Sequence, residues 1–390
     1  MIGNQVNNNP VQPQGINDEI DELNLLLQEV QSSPLPKDLE QKAVGMVNRL
    51  KRVAKYGSFS REYEPIAKYI SWITKVPWGE YTTDNLDINN VKAQLDSTHY
   101  GLENVKQRLL EYIAMLNLRM QQQNQKAPST ANTGDLTNDM MKLQGSSSHA
   151  PILCFVGVQG IGKTSIAKSI AKALGRRFVR ISLGALGGVT ELRGRSRGEV
   201  DAEPGQVTKA LVRAEVMSPL ILMDEIDKVS SQTGLRADVM AALLEILDPE
   251  QNSTYLDHYL DYPLDLSHAM FICTANNLGG ISAALLDRLE IVRMSSYNDD
   301  EKMHIAKDYL LPKVMESSGL TEQQIVFHDD VWPYVIRPLG FDAGIRELER
   351  TLTTLVRKIA MKIVTGEGQS FEITPQNFRD YIPEDIGVYS

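Results

Sequence analysis

The stretch Gly157-Val158-Gln159-Gly160-Ile161-Gly162-Lys163-Thr164 follows the apolar run ILCFV and opens the helical run SIAKSIAKAL. A G-x-x-x-x-G-K-[ST] spacing between a strand and a helix is what a phosphate-binding loop requires. Its glycines let backbone N–H groups turn inward around phosphate oxygens, and the helix N-terminus adds a favourable dipole. Lys163 is placed to reach the β- and γ-phosphates, and the Thr164 hydroxyl to coordinate Mg²⁺. The candidate set for ATP is therefore Gly157, Gly160, Ile161, Gly162, Lys163, Thr164 and Ser165.

A second constellation is Leu220-Ile221-Leu222-Met223-Asp224-Glu225, four apolar residues ending in two acids. That pattern fits a buried strand delivering carboxylates to the C-terminal edge of a sheet, where open α/β sheets bind ligands. Asp224 is the candidate Mg²⁺ ligand alongside Thr164, and Glu225 the general base that polarises water. A third apolar run, Met270 to Thr274, ends in Ala275-Asn276; a polar side chain there can orient the same water. Arg288, in LLDRLE, and Arg346, in GIRELER, could offset charge near the γ-phosphate. Their residue type alone does not set them apart from a solvated surface arginine, which is the usual case.

These residues need elements to hold them. From Pro151 onward, apolar runs at Ile152 to Val156, Phe178 to Ile181, Leu220 to Met223, Met270 to Thr274 and Ile291 to Val292 alternate with helical stretches. Continuous apolar strands of this kind predict an α/β fold with a parallel sheet covered on both faces. After residue 295 the pattern predicts a second, mostly helical domain over 295–386. Before the sheet, Ile20, Leu23, Leu27 and Val30, then Leu39, Ala43, Met46, Leu50 and Val53, then Ile66, Ile70 and Ile73 repeat at helical spacing. They predict a small helical unit over 17–76. Residues 1–16 and 121–149, rich in Asn, Gln, Ser, Thr and Pro, are expected to be a disordered tail and a flexible insertion in the large domain at 77–294.

Composition narrows the function. The net charge of −10 argues against a protein that coats nucleic acid. Cys154 and Cys273 both lie in apolar runs and read as small buried hydrophobes rather than a disulfide or metal pair. No run approaches the ~20 apolar residues a bilayer span needs, and no leader pattern is present, so a cytoplasmic protein without a membrane partner is expected.

Longer segments carry a family resemblance. Trp78-Gly79, Asp96-Ser97-Thr98-His99-Tyr100-Gly101-Leu102, ILCFVG with GIGKTS, MDEIDKVSS, Leu247-Asp248-Pro249-Glu250-Gln251-Asn252, Asp257-His258-Tyr259-Leu260, LLDRLE and AGIRELER together resemble the ATPase region of Lon proteases over about residues 17–385. The resemblance implies a AAA+ P-loop NTPase fold with a helical lid, assembled as a homo-oligomeric ring, a hexamer, acting on polypeptide substrates. It also implies roles: Asn276 as sensor 1, Arg288 as the finger given to a neighbouring subunit, Arg346 as the sensor-2 arginine, and His99, Tyr100 and Gly101 lining the adenine pocket.

The sequence departs from that family at three places. Val158-Gln159 replaces the usual Pro-Pro of the phosphate loop. Glu199-Val200 stands where an aromatic–aliphatic pair grips substrate, and residues 185–210 contain no aromatic. No candidate for the family's Ser–Lys peptidase dyad is found, so a separate Lon-type peptidase is an expected partner. The reading is an ATP-driven protein-remodelling motor. Its rivals are a regulatory ring that holds ATP without threading polypeptide, and a nucleic-acid-acting AAA+ ATPase.

Overall fold

A computed structural model describes residues 14–54, 59–126, 152–229, 233–336 and 344–382. The bulk of the 1–16 tail and of the 121–149 insertion lies outside the described residues.

Three helices open the chain: α1 (Gln14–Ser32), α2 (Lys37–Ala54) and α3 (Phe59–Lys75). Their periodic positions Leu23, Val30, Leu39, Ala43, Leu50, Ile70 and Ile73 are fully buried, and Val47 joins them. In α2, Asp38 and Glu40 sit in the first turn and Lys51 and Arg52 in the last, each complementing the helix dipole. The helices share one continuous core with Ile181, Leu211, Met223, Tyr255 and Leu264 of the α/β part. A strap over residues 76–87 carries the chain across. Arg176 grips Asp84 bidentately at 2.7 Å through both Nε and a terminal nitrogen, and both side chains are buried. The Thr82 backbone N–H donates to the Ser218 hydroxyl at 2.8 Å.

Helix α4 (Ile88–Thr98) is capped by Asp87, whose carboxylate accepts from the backbone of Asn89 and Asn90. Helix α5 (Glu103–Lys126) runs on into the stretch expected to be an insertion, because its Gln and Lys residues are good helix formers. Then follow β1 (Ile152–Val156), α6 (Lys163–Leu174), β2 (Phe178–Ser182), α7 (Val189–Arg193), α8 (Gln206–Ala214), β3 (Leu220–Asp224), α9 (Thr233–Leu247), the antiparallel pair β4 (Tyr255–Asp257) and β5 (Tyr262–Leu264), β6 (Met270–Ala275), α10 (Ala283–Leu286) and β7 (Leu289–Arg293). Five of these strands form a parallel sheet in the order β2-β3-β6-β1-β7.

Every residue of β1 and β3 is buried, as strands covered on both faces must be. Alternation splits β1 between two cores: Cys154 and Val156 face one, Leu153 and Phe155 the other. Both cysteines are free and buried, and burial pushes the Cys154 thiol up to about 12 and the Cys273 thiol up as well, which disfavours the reactive thiolate.

The lid has its own core. It runs through α11 (Asp299–His304), a π-helical segment (Ile305–Leu310) and α12 (Leu311–Ser318), then β8 (Ile325–Phe327), α13 (Trp332–Ile336), α14 (Arg346–Val364), β9 (Phe371–Ile373) and α15 (Phe378–Tyr381). The π segment ends next to Pro312, which has no N–H to continue the ladder. The parallel pair β8–β9 was not expected from the sequence. Each strand is three residues long, too short for an alternation to register.

Candidate active site

The chemistry gathers at the C-terminal ends of β1, β3 and β6, neighbours in the sheet. Val156 ends β1, and the chain turns at Gly157. A Cβ there would lie 2.5 Å from the Met294 carbonyl oxygen and 2.4 Å from Ile161 Cδ1, so only glycine fits. Gly162 is left-handed at φ 91° and leads into α6. The Lys163 ammonium folds into the loop, donating to the carbonyls of Gly157 (2.5 Å) and Val158 (3.0 Å) and to Asn276 Oδ1 (2.9 Å). Burial lowers the Lys163 pKa, while Asp227, Asp224 and Glu225 pull it up. A largely desolvated cation in a turn of backbone is therefore ready for an anion. Thr164, half-buried, occupies the first turn of α6 beside it.

Asp224 at the end of β3 is 4% exposed. Its carboxylate takes Arg180 Nε at 2.6 Å and the Thr274 hydroxyl from β6. That same Thr274 oxygen accepts from the Glu225 backbone N–H at 2.9 Å. Glu225 sits in the left-handed region at φ 60°, a strained conformation for a residue with a Cβ, and Lys228 pairs with its Oε1 at 2.6 Å. One turn further, Asp227 Oδ2 accepts from the backbone N–H groups of Asn276 (3.1 Å) and Asn277 (3.3 Å). Its other oxygen is buried without a partner. So Lys163, Asn276 and Asp227 form one hydrogen-bonded cluster and Asp224, Glu225 and Thr274 a second, close enough for both acids to act on the Lys163 charge.

The lid closes on this site. The Ile345 N–H donates to the Gly160 carbonyl at 3.0 Å, which puts Arg346, first residue of α14, directly over the loop. The Tyr297 hydroxyl donates to the Ile161 carbonyl at 3.2 Å. Ile161 thus serves through its backbone; its side chain is fully buried in the core.

The segment between α4 and α5 reaches the same place. His99 Nε2 meets the Ser165 hydroxyl at 3.0 Å. Burial, aided by the nearby Lys106 charge, pushes the His99 pKa down to about 4. Lys106, itself buried, donates to the His99 carbonyl and to Asp96. Tyr100 stacks on His304 of the lid, with ring centres 5.2 Å apart and planes 12° apart. Gly101 turns the chain at φ 62°. Arg288, by contrast, is bound to the buried Asp248 at 2.8 Å. Its half-exposed guanidinium sits on the large domain's own acid.

Several participants were not read from the sequence. Asp227 lies in the quoted MDEIDK run and could have been found by asking what faces Asn276. Arg180, Tyr297 and His304 carry no local signal; only the tertiary fold brings them in. As for Mg²⁺, no group of three or more His, Cys, Asp or Glu side chains among the described residues is arranged to hold a metal ion by itself. Thr164 lies in the first turn of α6 and Asp224 ends β3, and each Asp224 oxygen keeps a further lone pair beyond its contact to Arg180 or Thr274. That donor set suits an ion that usually takes one or two protein ligands and keeps its waters and substrate phosphates.

Residues 153–297 match the "ATPase family associated with various cellular activities (AAA)", and residues 316–371 match the "Lon protease AAA+ ATPase lid domain". Lon protease 1 of Bacillus subtilis is 39% identical over 368 residues, covering 94% of this chain and 44% of its own length. The mitochondrial Lon protease homolog of Homo sapiens is 39% identical over 337 residues, 86% of this chain and 32% of its own. The Lon protease of Endomicrobium trichonymphae is 42% identical over 334 residues, 85% and 38% respectively. The chain thus spans well under half the length of these relatives.

Proposed function

From a chain that belongs to the Lon-type AAA+ ATPases, carrying their AAA domain and their lid, we propose an ATP-hydrolysing motor that works in a homo-oligomeric ring, a hexamer, and remodels polypeptides. The observation that carries the ATPase reading is that Asn276 and Thr274, two residues apart at the end of β6, hold Lys163 on one side and Asp224 with Glu225 on the other. Lys163, with the loop amides, holds the β- and γ-phosphates. Thr164 and Asp224 hold Mg²⁺, which when bound offsets charge on the phosphate oxygens. Asn276 orients a water, and Glu225 takes its proton as the water oxygen bonds to the γ-phosphorus and the bond to the β-phosphate oxygen breaks. Arg346 arrives with the lid. Arg288, exposed on its far side, serves the neighbouring subunit. His99, Tyr100 and Gly101 receive the adenine.

Steady-state phosphate release is the test. Lys163→Ala abolishes nucleotide binding on this reading, and Glu225→Gln keeps binding but stops turnover. Turnover unchanged in Glu225→Gln would overturn it.

A second reading has one observation in its favour. The loop expected to grip substrate ends in Glu199-Val200, with Val200 84% exposed and no aromatic nearby in the sequence. On that reading the ring binds ATP without pulling polypeptide. An unfolding assay on a tagged substrate separates the two: ATP-dependent loss of substrate structure favours the motor. Partnership with a separate peptidase belongs to the motor reading.

A further inference from the structure

The loop that carries Glu199 and Val200 is anchored in an unexpected way. Its two ends, Gly194 and Gly205, are pinched together: a Cβ on Gly205 would lie 2.1 Å from the Leu192 carbonyl oxygen and 2.7 Å from the Gly194 nitrogen. Asp257, fully buried, ties that pinch. Its carboxylate accepts from the Gly205 N–H (2.8 Å), the Thr208 hydroxyl (2.6 Å) and the N–H groups of Tyr259 (2.8 Å) and Leu260 (3.1 Å). This is what the Asp257-His258-Tyr259-Leu260 motif does. Just above the pinch the two arms pair, with the Arg195 N–H donating to the Glu203 carbonyl at 3.0 Å.

Each arm is also held from outside by the N-terminal helices. Arg197 lies over the Tyr69 ring of α3 at 4.3 Å, reaches Asp261 at 3.4 Å, and touches Met46 of α2. Lys42 of α2 holds the same Asp261 carboxylate at 2.9 Å. On the opposite arm, Lys68 of α3 donates to the Ala202 carbonyl at 2.8 Å. Between the two clamps the tip residues Glu199, Val200 and Asp201 stand exposed.

We infer that Arg197 and Lys68 are positioning residues through which α2 and α3 fix the loop tip, making the Gly194–Gly205 loop a rigid finger aimed by the helical unit. A closed base alone leaves a loop free to rock about its pinch. Two lateral ties from a body packed into the same core remove that freedom. The tip moves with the helices, and whatever shifts them re-aims it.

The experiment labels the tip with a nitroxide at Val200→Cys, which is clean because both natural cysteines are buried. It pairs the spin-label line shape with amide exchange of Arg195 and Glu199, whose N–H groups are bonded within the loop. The cation–π contact and the ion pair together are of a size that predicts about tenfold faster exchange in Arg197→Ala, with a more mobile label. Lys68→Met, a change on a helix far away in sequence, loosens the same tip. Arg197→Lys, which keeps a cation over Tyr69, restores much of the order. Exchange in β3 and β6 stays at the unmodified protein's level, reporting an intact fold. Loosening in Arg197→Ala but none in Lys68→Met, or an immobile tip in both, overturns the inference. The readout uses neither nucleotide nor polypeptide, so its failure leaves the ATPase reading standing, and the reverse.

Discussion

The charges of the site are arranged so that each acid has a defined neighbour. Glu225 is the exception in conformation, held left-handed at φ 60° with its carboxylate beside Lys228. A general base contributes about 10²–10⁴-fold, so Glu225→Gln should cut turnover by that factor while the nucleotide dissociation constant, measured by fluorescent-analogue titration, stays put. His99 gives a pH signature. Its folded pKa is near 4 against an ordinary 6.5, so the unfolded chain binds a proton more readily than the folded one between those values. The His99 contribution to stability is therefore fully present above about pH 6.5 and is lost as pH falls towards 4. Melting curves at pH 7 and pH 5 should show a smaller difference in His99→Gln than in the unmodified protein; an equal difference would remove His99 from the account.

Elements carry the precision that side chains use. Arg176, in the turn between α6 and β2, and Asp84 of the strap tie these segments together with both partners desolvated. Breaking such a pair leaves a bare buried charge, which costs about 3–5 kcal/mol. Asp84→Ala should lower denaturant stability by that amount with little change in nucleotide affinity. Gly205→Ala tests the pinch, since its methyl would strike backbone that cannot swing aside; overpacking of this sort costs about 1–3 kcal/mol in urea unfolding.

How much of this could be read beforehand follows from range. The strands β1, β3 and β6, the phosphate loop and the acid pair were all visible, because each is a contiguous run with its own period and turn chemistry. The three N-terminal helices were visible by their stripes. What stayed hidden was what depends on distant chain: Arg180 at Asp224, Tyr297 at Ile161, His304 against Tyr100, and the three-residue strands of the lid. Nor did the stripes of α2 and α3 reveal that their apolar faces continue into the sheet's core. Periodicity says that a face is buried, not against what.

At the scale of the whole molecule the described residues pack around three cores. The N-terminal helices and one face of the sheet share a core, whereas the lid keeps a separate one. Their meeting points are few: Ile345 on Gly160, Tyr297 on Ile161, His304 on Tyr100 and the Tyr309 hydroxyl donating to the Asp96 carbonyl at 3.0 Å. Two of the four, Ile345 and Tyr297, touch the Gly157–Thr164 loop itself. A ligand that binds only the folded form at 100 times its dissociation constant adds about 2.7 kcal/mol. Mg·ATP should therefore raise the melting temperature of Glu225→Gln, and do so much less when Tyr100→Ala removes the stacked ring.

Helix α14 begins at the phosphate loop and runs 19 residues outward, a rod of about 28 Å at 1.5 Å per residue. Leu348, Leu352, Leu355, Val356 and Ile359 bury it in the lid's core, so the rod tilts only with the lid, and a tilt of roughly 10° about the inner end sweeps the outer end by about 5 Å. Met361 and Val364 ride at that outer end, 66% and 87% exposed. A displacement of well under an ångström where Ile345 touches Gly160 is thereby magnified into one large enough to shift whatever surface the outer turn rests upon.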